Sequence, residues 1–156
     1  MTGGRNGFGA KLANIFSTKF VIETGDGSRE YHQTFTDNMN SKEEPSIKSA
    51  KLKSGWTCVT FFPDLVKFGM THLDDDIVAV MRKRAYDMAG ILGKTVKVSF
   101  NGQKLPIKTF EDYVDLYLGK KNEGTARVHL KANDRWEIAV ACTEGEFRQV
   151  SGGCLE

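Results

Sequence analysis

The chain has 156 residues, of which 22 are Lys or Arg and 20 are Asp or Glu, so its formal net charge is +2. Hydrophobic residues make up 40% of the chain, a share that allows a folded core and excludes disordered and collagen-like proteins. The near-neutral charge also predicts weak binding to DNA, because each DNA phosphate that is neutralised requires a cation.

Neither a membrane span nor a metal framework is predicted. Apolar runs such as residues 77–81 are far shorter than the ~20 residues of a membrane helix. Met1 leads into polar residues and glycines instead of an apolar signal segment. The three cysteines include no C-x-x-C pair, which predicts neither a disulfide framework nor a zinc site. We therefore expect an intracellular, soluble protein.

The first half of the chain has the pattern of a short helix followed by a β-sheet. Closely spaced glycines lead into residues 10–16, which have helical spacing. Residues 19–23 and 30–36 predict two strands joined by a glycine-containing turn. Residues 47–52 and 56–62 follow a polar loop, and the second of these segments alternates poorly. It is predicted to be a buried strand.

From residue 74 the pattern changes to a long amphipathic helix. Apolar residues, Val80 and Met81 among them, recur every three or four positions over residues 77–92 and are predicted to form its packed face. Aspartates fill positions 74–76, where the helix dipole favours them. Gly90 and Gly93 are predicted to end this helix. The segment between residues 65 and 72 is predicted to connect two separately packed units.

A hairpin, a second helix and three strands are predicted beyond this helix. Asn101-Gly102 predicts a tight turn between strands over residues 96–100 and 104–107. Thr109 is the predicted N-cap of a helix over residues 110–118, and Gly119 follows its end. The three strands are predicted over residues 126–131, 135–143 and 147–150.

The glycines before the first helix raise the question of phosphate binding. Backbone N–H groups at such a position can approach phosphate oxygens, and the start of a helix favours negative charge. The segment does not fit a Walker A loop, because Lys11 lies one position too late and Leu12 stands where a hydroxyl is required. It does not fit a Rossmann fingerprint either, because no strand can precede it. Spacing alone leaves a flexible loop and an anion-binding loop as alternatives.

The same segment carries a resemblance to a known family. The run Thr2-Gly-Gly-Arg-Asn-Gly-Phe-Gly-Ala-Lys-Leu12 resembles the glycine-rich ATP-binding box of eukaryotic type II DNA topoisomerases, which are GHKL ATPases. The resemblance covers nearly the whole chain. It continues through Phe61-Phe-Pro-Asp-Leu65, Arg84-Ala-Tyr-Asp87, Lys104-Leu-Pro106 and Arg135-Trp-Glu137.

The resemblance implies an α+β fold with two parts. Residues 1–65 would be the C-terminal part of a GHKL-type ATPase α/β sandwich, including its glycine-rich phosphate lid. Residues 66–156 would be the first part of a transducer domain, a βαβ-type sheet with packed helices. Seven residues would line the nucleotide phosphates, mainly through backbone amides: Arg5, Asn6, Gly7, Phe8, Gly9, Ala10 and Lys11. Asn6 and Lys11 would add side-chain contacts.

The resemblance also implies the activity of a parent protein. That protein would hydrolyse ATP with Mg²⁺ and pass one DNA duplex through another, relaxing and decatenating DNA as a homodimer in the nucleus. In this family the general base and the magnesium ligand precede the glycine-rich box, so no catalytic residue and no metal ligand is expected in this chain. The isolated chain is therefore expected to be inactive.

Two other functions remain open from the sequence. One is a non-enzymatic β-rich module that binds nucleic acid or protein. Its best support is the set of lysines on one predicted strand, Lys48, Lys51 and Lys53, together with Arg82, Lys83 and Arg84. The other is a different GHKL ATPase relative. Both are less consistent with the family-specific runs named above.

Overall fold

The computed structural model of the chain describes residues 6–120, 125–142, 145, 147 and 149. These residues form two compact units, divided between Leu73 and Asp74. The predicted connecting segment, residues 65–72, belongs to the first unit. The assignment of the two units to an ATPase domain and a transducer domain stays a prediction. Across the described ranges no helix has both the length and the apolar character needed to cross a membrane.

The first unit is a short helix followed by an antiparallel sheet. Its elements are α1 (Phe8–Ile15), β1 (Ser17–Gly25), β2 (Arg29–Thr36), β3 (Ser41–Lys42), β4 (Ser46–Ser49), β5 (Trp56–Pro63) and a single 3₁₀ turn (Leu65–Phe68). The strand order is β3-β2-β1-β5, and β4 also pairs with β2. Phe20 of β1 is 2% exposed and packs edge-on against Phe35 of β2.

The prediction that the strand over residues 56–62 is buried is wrong. Strand β5 pairs with β1 at the edge of the sheet, and Val59, Phe61 and Phe62 are each about half exposed. A poorly alternating apolar strand requires cover on both faces. The described residues supply little of that cover, so the apolar side chains of β5 face solvent.

A turn with unusual backbone geometry follows β2. Asp37, Asn38 and Met39 have φ angles of 52°, 54° and 70°, so three consecutive residues lie in the left-handed region. Asp and Asn tolerate this region, whereas other residue types lose about 1–2 kcal/mol there. The turn is held in place because the N–H groups of Asp37 and Asn38 donate to the carbonyls of Thr18 and Ser17 at 3.2 and 3.1 Å.

The second unit combines two helices with two antiparallel hairpins. The predicted helices are both present, and the predicted turn at Asn101-Gly102 has left-handed φ angles of 50° and 76°, as a tight hairpin requires. The strand predicted over residues 147–150 falls largely outside the described residues. The elements are α2 (Asp75–Leu92), β6 (Ser99–Phe100), β7 (Gln103–Lys104), α3 (Phe110–Leu118), β8 (Arg127–Lys131) and β9 (Glu137–Ala141).

Local side chains explain where these helices start. The Asp74 carboxylate accepts a hydrogen bond from the N–H of Ile77 at 2.9 Å and caps α2. Thr109 caps α3 by accepting from the N–H of Asp112, and the Asp112 carboxylate accepts in return from the N–H of Thr109. This reciprocal pair is a capping box, which satisfies two backbone donors at once.

The core of the second unit is formed by α2, α3 and the segment that joins β7 to α3. Its buried side chains are Ala89, Leu105, Ile107 and Tyr113. The prediction that Gly90 ends α2 is wrong, because the helix continues to Leu92 and is capped by Gly93. Gly90 is instead a contact point: a Cβ atom there would lie 2.6 Å from Cγ of Tyr113. The prediction that Val80 and Met81 lie on the packed face is also wrong, since both are exposed.

A network of polar side chains also connects α2 and α3. The hydroxyl of Tyr113 donates to Oδ1 of Asp87 at 2.6 Å, and Nζ of Lys83 donates to both carboxylate oxygens of Asp87. Burial alone would raise the pKa of Asp87, but the hydrogen bonds from Lys83 and Tyr113 outweigh it and hold that pKa below its ordinary value. Burial and the hydrogen bond to Asp87 raise the pKa of Tyr113, which therefore remains a donor.

We expect Gly90→Ala to destabilise the second unit, although alanine favours a helix over glycine by about 1 kcal/mol. The new methyl group would meet the part of Tyr113 nearest its backbone, where little can move, and such overpacking costs about 1–3 kcal/mol. Native-state hydrogen exchange of the α2 amides measures the loss. Val80→Ala, at an exposed position of the same helix, is the control and should cause no loss. Unchanged protection in Gly90→Ala would contradict the close contact with Tyr113.

We expect the stability of the second unit to fall in acid, below about pH 4. The unfolded carboxyl titrates near its ordinary pKa of about 3.9, and the folded pKa is lower. The contribution of Asp87 is therefore complete above the unfolded value and is lost as the pH falls through the folded value. Asp87→Asn should flatten this dependence in urea denaturation followed by helical circular dichroism. Asp134→Asn, at an exposed carboxylate, should retain the wild-type slope, and equal slopes in both variants would contradict the role of Asp87.

Candidate functional site

The predicted nucleotide contacts lie at the start of α1. Gly7 is the N-cap residue and has φ 65° and ψ 18°, a left-handed conformation that glycine adopts without strain. Phe8, Gly9 and Ala10 form the first turn, and the N–H of Lys11 makes the first helical hydrogen bond, to the carbonyl of Gly7 at 3.2 Å. The helix thus starts at Phe8, two positions before the predicted start.

The predicted set of nucleotide contacts also includes Asn6 and Arg5. Asn6 is described by the structure and lies in the exposed turn before Gly7. Arg5 lies outside the described residues. The six described residues of the set are therefore contiguous, and all of them are exposed.

The first turn of α1 leaves backbone donors open. The N–H groups of Phe8, Gly9 and Ala10 precede the first helical hydrogen bond, and within the described part of the chain no side chain caps this end. The first turn also contains no acidic residue, so nothing in it opposes the positive end of the helix dipole. No atom of the described residues lies within 4 Å of the position that a Cβ atom of Gly7 or Gly9 would take, so these residues leave the backbone open to close approach by another molecule.

This arrangement is suited to binding an anion. Three N–H groups without helical partners, the helix dipole and the charge of Lys11 all favour an anion such as phosphate. The residues that the structure describes contain no group of three or more His, Cys, Asp or Glu side chains that could hold a metal ion. The start of α1 therefore offers open backbone donors and positive charge to an anion.

The other end of α1 is held by polar contacts that the sequence analysis missed. Nδ2 of Asn38 donates to the carbonyl of Ile15 at 3.0 Å and to Oδ2 of Asp64 at 3.1 Å. The hydroxyl of Ser17 donates to the carbonyl of Ala13 at 2.5 Å. The run Asp-Asn-Met-Asn is a turn signal, but its partner carbonyl lies 23 residues away, and no local pattern indicates that pairing.

One polar atom of α1 is buried without a partner. Asn14 is 5% exposed, and its Oδ1 makes no hydrogen bond to the described residues. Asn14 is also the residue of α1 that is buried. The helix therefore gains little from apolar burial on its inner side.

The lysines that supported a binding module do not share a strand. Lys48 lies in β4, whereas Lys51 and Lys53 follow the end of that strand at Ser49. The prediction of one basic strand is wrong, because β4 ends at Ser49 and the chain then runs along the turn between β1 and β2, where the N–H groups of Ala50 and Leu52 donate to the carbonyls of Ser28 and Gly27. The structural support for a basic binding face is weakened accordingly.

Comparison with known proteins identifies relatives over nearly the whole chain. No family model matches it. DNA topoisomerase 2 of Arabidopsis thaliana is 55% identical over 157 residues, which cover 96% of this chain and 11% of that protein. The same protein of Pisum sativum is 53% identical, again over 96% of this chain and 11% of the relative. The chain thus spans about a tenth of the length of the curated relatives that it matches.

Solved structures with a similar fold are also found. The ATPase region of Saccharomyces cerevisiae topoisomerase II matches with a TM-score of 0.82 and 45% identity, over 91% of this chain and 38% of that chain. The 43K ATPase domain of Thermus thermophilus gyrase B matches with a TM-score of 0.55 and 20% identity, over 88% of this chain and 39% of that one. The second match shows a shared fold alone, and both agree with the predicted α+β class. The chain therefore belongs to the family of eukaryotic type II DNA topoisomerases and matches part of their ATPase region, as the resemblance in its sequence predicted.

Proposed function

We propose that this chain is part of an ATP-dependent type II DNA topoisomerase and contributes its phosphate-binding lid. The observation that carries this proposal is the start of α1, where a left-handed Gly7 leads into a helix with three open N–H groups. This site lies in a chain that is 45% identical to a solved topoisomerase II ATPase region. The whole protein would couple ATP hydrolysis to the passage of one DNA duplex through another.

Each residue of the proposed site has a physical role. The N–H groups of Phe8, Gly9 and Ala10 bind phosphate oxygens, and Gly7 provides the backbone turn that presents them. Lys11 adds a positive charge one turn into the helix. Arg5 and Asn6, just before the helix, complete the contact set. Phosphoryl transfer depends chiefly on positioning and charge stabilisation, which these groups supply.

The remaining requirements of the reaction belong to other parts of the longer protein. Mg²⁺, which neutralises phosphate charge when bound, would be held by residues outside this chain, as would the group that activates water. Residues 66–156 would contribute the first part of the transducer domain. We further propose that the longer protein acts on double-stranded DNA as a homodimer in the nucleus. A net charge of +2 is consistent with DNA contacts made mainly elsewhere in that protein.

We expect Lys11→Ala to raise the KM for ATP about tenfold or more, because a charge-assisted hydrogen bond contributes about 1.5–3 kcal/mol. The measurement is steady-state hydrolysis by a graft, in which this chain replaces its matching segment in the yeast topoisomerase II ATPase region. Lys19→Ala, which removes an exposed lysine on β1, is the matched control and should leave the KM unchanged.

Two outcomes would contradict the proposed function. One is a folded graft that fails to hydrolyse ATP, which would show that this chain cannot replace the yeast segment. The other is an active graft whose KM does not respond to Lys11→Ala. That result would place phosphate binding away from the start of α1.

A further inference from the structure

We propose that Asn38 is a positioning residue for the phosphate-binding start of α1. The inference rests on the proposed function, since it assigns a role toward the same site. Asn38 lies in the left-handed turn after β2, at the end of α1 opposite to Phe8. It is not one of the residues expected to contact the nucleotide.

Helix α1 needs an external support to keep a fixed direction. It has eight residues, fewer than a helix requires to be stable alone. Its large apolar side chains are exposed: Phe8 is 63% exposed, Leu12 51% and Ile15 40%. Because apolar burial contributes little, the direction of the helix depends on the hydrogen bonds at its C-terminal end.

Asn38 supplies one of the hydrogen bonds that join this end to the sheet. Its Nδ2 group donates to the carbonyl of Ile15 and also to Oδ2 of Asp64, the residue that directly follows β5. The carbonyl of Ile15 is among the last four of the helix, which have no helical partner. The N–H of Asp64 donates to the carbonyl of Phe16 at 2.8 Å, so two bonds connect the helix end to the same point of the sheet.

The backbone of the turn gives this contact its geometry. Three consecutive left-handed residues are unusual, and strain of this kind is concentrated at sites where a side chain is held for function. Asn combines tolerance of the left-handed region with an amide donor. The turn thereby directs one N–H₂ group at two acceptors from different elements.

A small change at this end has a large effect at the other. The helix is about 12 Å long, so a tilt of about 10° at Ile15 would move the N–H groups of Phe8 and Gly9 by about 2 Å. Hydrogen bonds to phosphate do not survive such a displacement. Loss of the Asn38 contact should therefore weaken ATP binding without altering any group that contacts ATP.

The test uses Asn38→Gly in the active graft enzyme. Glycine adopts the left-handed φ freely, so the turn keeps its shape and only the side-chain donor is lost. We expect the KM for ATP to rise about tenfold. Asn38→Asp, which keeps the size but removes the donor, should raise the KM as well. Asn40→Gly, at the exposed end of the same turn, adds the same backbone freedom and should leave the KM unchanged.

Measuring the KM and the maximal rate separately distinguishes a positioning role of Asn38 from a purely structural role. A purely structural role would reduce the amount of folded enzyme and hence the maximal rate, while the KM of the remaining enzyme would stay at the wild-type value. An unchanged KM in both Asn38 variants, in a graft whose KM does respond to Lys11→Ala, would overturn this inference and leave the proposed function standing. A folded but inactive graft would overturn the proposed function, and this inference with it.

Discussion

The open backbone donors at the start of α1 are the feature on which the proposed site depends. A helix start normally has its free N–H groups satisfied by a capping side chain or by water. Here the N-cap residue is Gly7, whose left-handed backbone leads into the helix and which has no side chain to cap these donors. A capping side chain, such as Thr109 in α3, would stabilise the helix but would occupy N–H groups that an anion needs.

The two helix starts show how one physical requirement is met in opposite ways. In α3 the reciprocal bonds of Thr109 and Asp112 satisfy the first donors and place negative charge there. In α1 the first turn has no acidic residue. The side-chain hydrogen bonds are at the opposite end, where Ser17 and Asn38 donate to the carbonyls of Ala13 and Ile15. In α1 it is thus the C-terminal end, and not the start, that side chains hold.

The edges of both units carry apolar side chains that face solvent. Val59, Phe61 and Phe62 on β5 and Val128 and Val140 on the β8–β9 hairpin are exposed. Exposed apolar strand edges promote association with other chains. Because this chain spans about a tenth of the length of its relatives, this exposure is consistent with surfaces that pack against other parts of a longer protein.

The sequence by itself determined the elements whose signals act over a few residues. The capped helix at Thr109, the turn at Asn101-Gly102 and the helix after Asp74 were all predictable, because caps and tight turns involve neighbours within about four positions. Only the tertiary structure decided the features that depend on residues far apart in the sequence. The role of Gly90 became visible only with Tyr113 packed on it, and the exposure of β5 depends on which surfaces cover the sheet. The anchoring of α1 needed Asn38, because a hydrogen bond between side chain and backbone 23 residues apart exists only once the strands have brought the two groups together.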